Sequence, residues 1–422
     1  MLKEGYKKTE VGVIPEDWEV VKISHLANLI TKGTTPSTYG FEFEEEGINF
    51  IKIENLREDG SIDIDNTPKI SKECNEKLKR SQMKKNDILF SIAGSLGKAS
   101  IVSDWMLPCN TNQALAIIRL NNMCDKLFIK YFLSSNNVKR YIDRISTIGA
   151  QPNMSLQQVG NINVILPSLK EQEKIAEILS SVDCQIDDTE KLIEKCKVLK
   201  KGLMQRLLTK GIGHTEFKNT EVGEIPAAWE VKRVKDVSNT MSGGTPSRSK
   251  KHYYENGIYS WVKTGELGSK YIYESEEKIT EEAINNSSAK LVPIGSVIIA
   301  MYGATIGKLS ININEVTTNQ ACCSIVCDSS VMLNEYLYYY LDYNKNKLID
   351  LGAGGAQPNI SQKIIRDFEV LAPTLKEQRS IAQILSSLDS EIEDYGDKKQ
   401  KLEKLKKGLM QQLLTGKIRV TV

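Results

Sequence analysis

Histidine is scarce in this chain, with three among 422 residues. His25, His214 and His252 form no Ser-His-Asp or H-E-x-x-H arrangement with their neighbours in sequence. No Pro-Asp dipeptide opens a P-D…(D/E)-x-K nuclease motif, and no N-P-P-Y/F run of an adenine methyltransferase occurs. A catalytic role therefore has no residues to stand on. The eight cysteines include no C-x-x-C pair, and Cys322, Cys323 and Cys327 lack both the spacing and the histidine partners of a zinc site. Reduced, buried thiols and no metal are expected. No apolar run approaches the ~18 residues of a membrane span, and the opening M-L-K-E-G-Y-K-K lacks the apolar core of a signal peptide. The reading is cytoplasmic, with no membrane partner. With a net charge of only +2, any nucleic-acid-binding face must be a local basic patch.

What the chain does have is an internal duplication. T-E-V-G-V-I-P-E-D-W-E-V from Thr9 returns as T-E-V-G-E-I-P-A-A-W-E-V from Thr220, so Pro15 answers Pro226 and Trp18 answers Trp229. G-T-T-P-S (Gly33 to Ser37) returns as G-G-T-P-S (Gly243 to Ser247), and F-I-K ending at Lys52 returns as W-V-K ending at Lys263. An apolar strand leading to a glycine turn ends at Lys98 and again at Lys308. T-N-Q-A follows at Thr111 and Thr318, an aromatic-rich helix comes next, and G-A-Q-P-N follows at Gly149 and Gly355. Between these shared stretches, Ser37 to Asn49 and Ser247 to Ile258 are unlike. One scaffold carries two different surfaces.

Each half ends in a long amphipathic stretch, Leu169 to Thr209 and Leu375 to Thr415. Ile175, Leu179, Val182, Ile186, Thr189, Ile193 and Cys196 alternate steps of four and three, with Leu199, Leu203 and Leu207 beyond them. Ile381, Leu385, Leu388, Ile392, Tyr395 and Leu402, with Leu405, Leu409 and Leu413, repeat the seam, interrupted by Lys399. At 1.5 Å per residue each helix would be roughly 60 Å long, a spacer more than a packing element. Gly202 and Gly408, inside these helices, suggest a close backbone approach or a bend, or else a local helix end. The expected division is 1–166, a first mixed domain; 167–212, a helix; 213–372, a second mixed domain; and 373–422, a second helix.

Candidate contacts follow from residue chemistry. A glycine turn followed by Lys98 or Lys308 can lay backbone N–H groups and a cation against a phosphate, or be a tight turn with a solvated Lys. It is no nucleotide loop, because Ile92 and Tyr302 stand where the P-loop needs Gly and Ala99 and Leu309 where it needs Ser or Thr. Asn112, Gln113, Asn319 and Gln320 carry amides able to pair with adenine, or to satisfy a turn. Gln151 and Gln357 each precede a proline and are held extended. Lys52, Lys263 and Tyr302 complete the candidate DNA-contacting set. Trp18 and Trp229 read as core anchors.

The order and duplication of G-x-I-P-x-x-W, G-T-P-S, N-Q-A, G-A-Q-P-N and P-x-L-x-E-Q-x-x-I-A-x-I-L-S-S-x-D resemble the specificity subunit of a type I restriction-modification enzyme over essentially the whole length. Val13 where the second copy has Glu224, and an extra Thr in the first G-T-T-P-S, are small departures. The resemblance implies an α+β protein with two pseudo-repeated target-recognition domains, each reading half of a bipartite double-stranded DNA sequence, separated by two long antiparallel coiled-coil helices. It further implies two modification subunits that bind S-adenosylmethionine and methylate adenine, docked on the helices. Restriction subunits would use ATP and Mg²⁺. None of those cofactors is expected on this chain. A bivalent DNA-binding adaptor without enzyme partners is an alternative; a self-contained methyltransferase is opposed by the missing catalytic motifs.

Overall fold

The computed structural model describes residues 4–57, 59–145, 153–352 and 359–422. Two compact units emerge, one of Met1–Thr189 with Asp397–Val422, the other of Glu190–Gly396. Four helices organise them: α1 (Lys126–Leu133), α2 (Leu169–Lys210), α3 (Asn334–Tyr343) and α4 (Leu375–Leu413). Each unit thus contains a mixed α/β body together with a portion of both α2 and α4.

In the first unit an antiparallel sheet runs in the order Ala27–Lys32, Leu115–Leu120, Ile88–Ser91, Ala99–Ile101. Alternate residues point to opposite faces of a strand. Ile88, Phe90, Ala116 and Ile118 therefore join the core beneath α1, whereas Leu89, Leu115 and Ile117 join a separate cluster on the other face. Both faces are covered, which explains the continuous apolar run rather than an alternating one. The second unit repeats this with Val297 and Ile299 against α3, and Ile298 and Ala300 on the opposite face. A smaller sheet adjoins each. In it Ile48–Ile51 pairs in parallel with Cys109–Thr111, and Tyr259–Val262 with Val316–Thr318.

The repeated L-K-E-Q motif is the joint between body and long helix. Ser168 and Thr374 are side-chain caps, accepting from the amides of Glu171 and Glu377. Glu171 accepts from the Trp18 indole at 3.1 Å and Glu377 from Trp229 at 3.0 Å. Gln172 donates to the Pro167 carbonyl and accepts from the Asp125 amide at the start of α1; Gln378 does the same with Pro373 and Leu333. Trp18 and Trp229 are buried, as anchors should be. Arg419 closes the first joint on Asp17 and Glu171, and the His214 ring closes the second on Glu377 at 2.8 Å.

Within each unit the two long helices run antiparallel. In the first, Ile175 and Leu179 share a core with Leu413 and Leu414 while Asp183 pairs with Lys406. In the second, Leu207 and Leu208 share a core with Ile381 and Leu385 while Lys200 pairs with Asp389. Val182, Ile186 and Leu388 are buried, and Ile193, Ile392 and Leu402 are half-buried. The seam differs from expectation at two places. Leu199 and Leu405 are 52% and 50% exposed, because continuing the four-three alternation lands on Lys200 and Lys406 instead. Those ammonium groups are neutralised: Asp183 takes Lys406 at 2.5 Å and the Tyr131 hydroxyl of α1 at 2.7 Å, and Asp389 takes Lys200 and the Tyr339 hydroxyl of α3 at 2.6 Å. Burial and the neighbouring carboxylate push both tyrosines well above the ordinary phenol range.

At Gly202 and Gly408 the expected close approach within the chain and the expected helix end are both absent. Helix runs through both, and a Cβ at either would meet nothing within 4 Å. The cysteines are free thiols and mostly buried, but Cys184 is exposed. Among the described residues no group of metal-ligating side chains could hold an ion, and no helix is long and apolar enough to cross a membrane.

Candidate nucleic-acid interface

Three motifs far apart in sequence meet in each unit. The parallel pairing sets Ile51 beside Thr111 and Val262 beside Thr318, so the F-I-K and W-V-K strands end next to T-N-Q. The G-T-x-P-S loop then packs onto the same turn. Gly33 donates its amide to Asn112, and Gly244 donates to Thr318. A Cβ at Gly33 would lie 1.7 Å from the Thr111 carbonyl oxygen, and one at Gly243 would lie 2.1 Å from that of Thr318. Only glycine permits this approach, which accounts for its presence in both copies.

The amides divide their work. Asn112 and Asn319 turn inward, each accepting from the backbone N–H two residues on, Ala114 at 3.0 Å and Ala321 at 3.2 Å. These are Asx turns that shape the loop. Gln113 and Gln320 are exposed, and their carbonyl oxygens accept from the hydroxyls of Thr35 and Thr245. Their side-chain amino groups remain on the surface with donors to offer.

Lys52 and Lys263 sit at this junction through their strands. The Lys52 ammonium lies 4.4 Å from the Phe43 ring centroid, and Phe43 itself is 42% exposed and packs on Phe50. Lys263 reaches Glu277 at 3.3 Å. The glycine turns occupy the flank. Lys98 donates to the Leu56 carbonyl at 3.0 Å, so its cation helps hold the turn that follows Lys52. Lys308 lays its stem against Gly268, with Cδ 3.4 Å from where a Cβ would stand. Tyr302 is half-buried against the main core of its unit. Gln151 and Gln357 lie outside the described residues. The structure therefore gathers Lys52, Asn112 and Gln113, and Lys263, Asn319 and Gln320, and sets Lys98, Lys308 and Tyr302 to one side.

The non-shared segments attach directly to this junction and supply residues that motif matching passed over. Arg248 pairs with Glu277 through both terminal nitrogens, and its guanidinium carbon lies 4.3 Å from the Tyr254 ring centroid and 5.0 Å from that of Trp261. The Arg248 guanidinium holds the Glu277 carboxyl below its ordinary range. The corresponding stretch of the first unit is acidic, with Glu42, Glu44, Glu45 and Glu46 all exposed. A segment found in one copy only has no repeat to reveal it.

Comparison with known proteins agrees with this duplicated plan. The family described as type I restriction modification DNA specificity domain matches residues 15–197 and again 226–404. A putative type I restriction enzyme MjaX specificity subunit from Methanocaldococcus jannaschii is 31% identical, covering 99% of this chain and 97% of the relative. The MjaVIII specificity subunit of the same organism is 32% identical at the same coverage. In fold, the chain is similar to a type I restriction-modification S subunit from M. genitalium, with a TM-score of 0.60, 15% identity, and 98% and 97% of the two chains covered. A chain from a structure concerning assembly and conformational transition of the type I R-M system also gives a TM-score of 0.60, at 16% identity and 96% and 99% coverage.

Proposed function

Because the chain belongs to the type I restriction-modification DNA specificity family, and is the non-catalytic DNA-recognition subunit of such a system, we propose that each unit reads one half of a bipartite double-stranded target. The observation that carries this is the junction of G-T-x-P-S, F-I-K or W-V-K, and T-N-Q, built twice alike and each time bearing a segment of unlike sequence. Shared parts position the backbone; unlike parts discriminate bases. Lys52, Lys263, Gln113 and Gln320 are the contacts of first choice. Lys98 and Lys308 act on phosphate through the glycine turns that carry them. The domain boundaries are those read from the sequence, 1–166 and 213–372, with the long helices as spacers of about 60 Å.

Two modification subunits dock on the helices, where the outward Leu199 and Leu405 beside Gly202 and Gly408 offer apolar surface that the chain itself leaves uncovered. They carry S-adenosylmethionine and methylate adenine, while restriction subunits supply ATP- and Mg²⁺-dependent cleavage. This chain binds none of these cofactors and works in the cytoplasm. Exchanging residues 20–160 for those of a relative should alter one half of the methylated sequence in cells and leave the other. Methylome sequencing that found both halves altered would show that the units do not read independently.

A further inference from the structure

The segment Ser247 to Ile258 begins S-R-S-K-K-H, with Arg248, Lys250 and Lys251 ahead of its first acid, Glu255. Its counterpart in the first unit has four glutamates and no cation. Within this basic stretch Arg248 is exposed, at 55% of its side chain, and is fixed in direction by a carboxylate, whereas exposed Lys250 leans on the Tyr253 hydroxyl at 2.9 Å. Glu277 holds it end-on, Nη1 to one oxygen and Nη2 to the other at 2.9 Å, while the guanidinium plane rests on Tyr254 and Trp261. Those supports are themselves anchored on the shared junction. The Trp261 indole donates to the Gly244 carbonyl at 2.9 Å, its backbone amide donates to the Glu277 carbonyl at 2.8 Å, and Lys263 steadies the Glu277 carboxylate.

An end-on carboxylate takes one proton from each terminal nitrogen of a guanidinium that has five to give. The Nε–H and the second Nη2–H, a parallel pair on one edge, have no acceptor among the described residues. That edge matches the O6 and N7 acceptors of guanine in the major groove. A phosphate could also take it, but Glu277 beside a phosphate is repulsive, whereas on the floor of the groove cytosine N4 supplies a donor for a carboxylate. Lys250 and Lys251, with no acid between them, are the better phosphate contacts. The cation is already ordered by its carboxylate and rings, so little rotamer freedom remains to be lost on binding.

We propose that Arg248 reads a guanine in the half-site of the second unit, with Glu277 as its positioning residue. This rests on the second unit being a half-site reader. The test is selection from a random duplex pool by the full chain assembled with the modification subunit of its own system, followed by sequencing. Wild type should select a bipartite motif with a guanine in one half; selection of no motif would remove the parent reading and this one with it. Arg248→Ala should lower discrimination at that single guanine about ten- to hundred-fold and leave the other half-site intact. Arg248→Lys should keep affinity yet lose part of that discrimination, and Glu277→Gln should relax the same position to a smaller degree. A wild-type motif retained by Arg248→Ala, or weakening that is uniform across sequences, would overturn the assignment, the latter marking a phosphate contact.

Discussion

Asp183 and Asp389 each gather a tyrosine from the aromatic helix and a lysine from the facing long helix. Losing the carboxylate strands a half-buried ammonium, so Asp183→Ala is expected to cost about 3 kcal/mol, near the lower bound for breaking a buried pair. Tyr131→Phe removes one hydrogen bond to a charged acceptor and leaves the ion pair, so about 1.5 kcal/mol is expected. Urea denaturation of both variants checks the ranking, and equal losses would mean that the lysine gains nothing from Asp183. The Arg248–Glu277 pair has its own signature in pH. Its folded carboxyl titrates below the ordinary glutamate value, so its contribution is whole above that value and disappears as pH falls through the lowered one. Tyr254 and Trp261 lie under the guanidinium, so Trp261 fluorescence should change on the acid side of the glutamate range in wild type and not in Glu277→Gln.

At the scale of elements, the long helices owe their places to caps, heptads and the joint at their first turn. The seam from Ile175 to Ile186 and from Ile381 to Leu388 follows from apolar spacing alone. The last turns do not, because a lysine with a partner can occupy a seam position and a leucine one residue earlier can face out. Counting apolar residues favoured Leu199 and Leu405; holding strictly to the heptad would have found Lys200 and Lys406. Gly202 and Gly408 stand in open surroundings inside helices. Gly202→Ala and Gly408→Ala should each therefore raise unfolding free energy by about 1 kcal/mol. A destabilised variant in denaturant titration would reveal a constraint within the chain. A stabilised variant that no longer binds the modification subunit would instead mark a close approach by that partner.

For the molecule as a whole, the helices are the proposed ruler between half-sites. Both are continuous, at 42 and 39 residues. Inserting one heptad after Thr189 and another after Tyr395 keeps the seam in register and lengthens each helix by about 10 Å. That is roughly 3 base pairs of rise, less whatever rotation around the duplex the joints must absorb. The expected outcome is unchanged half-site bases with an unspecified spacer longer by about 1 to 3 base pairs. An active variant with the original spacer in methylome sequencing would assign the separation to something else.

The duplication, the mixed α/β bodies and the long helices were all legible in the sequence, because repeats, caps and apolar periodicity are local properties of a chain. The buried tryptophans were legible for the same reason. What only the tertiary structure decided was which motifs meet. Gly33 reaches Thr111, and Thr35 finds Gln113, through a parallel strand pairing that no nearest-neighbour pattern encodes. The same pairing sends Asn112 inward to shape a turn and leaves Gln113 outward with donors to spare. Arg248 acquired its direction from Glu277, 29 residues away, and Lys406 its counter-charge from Asp183 in another helix. Charges so far apart in sequence are coupled only when folding removes the water between them.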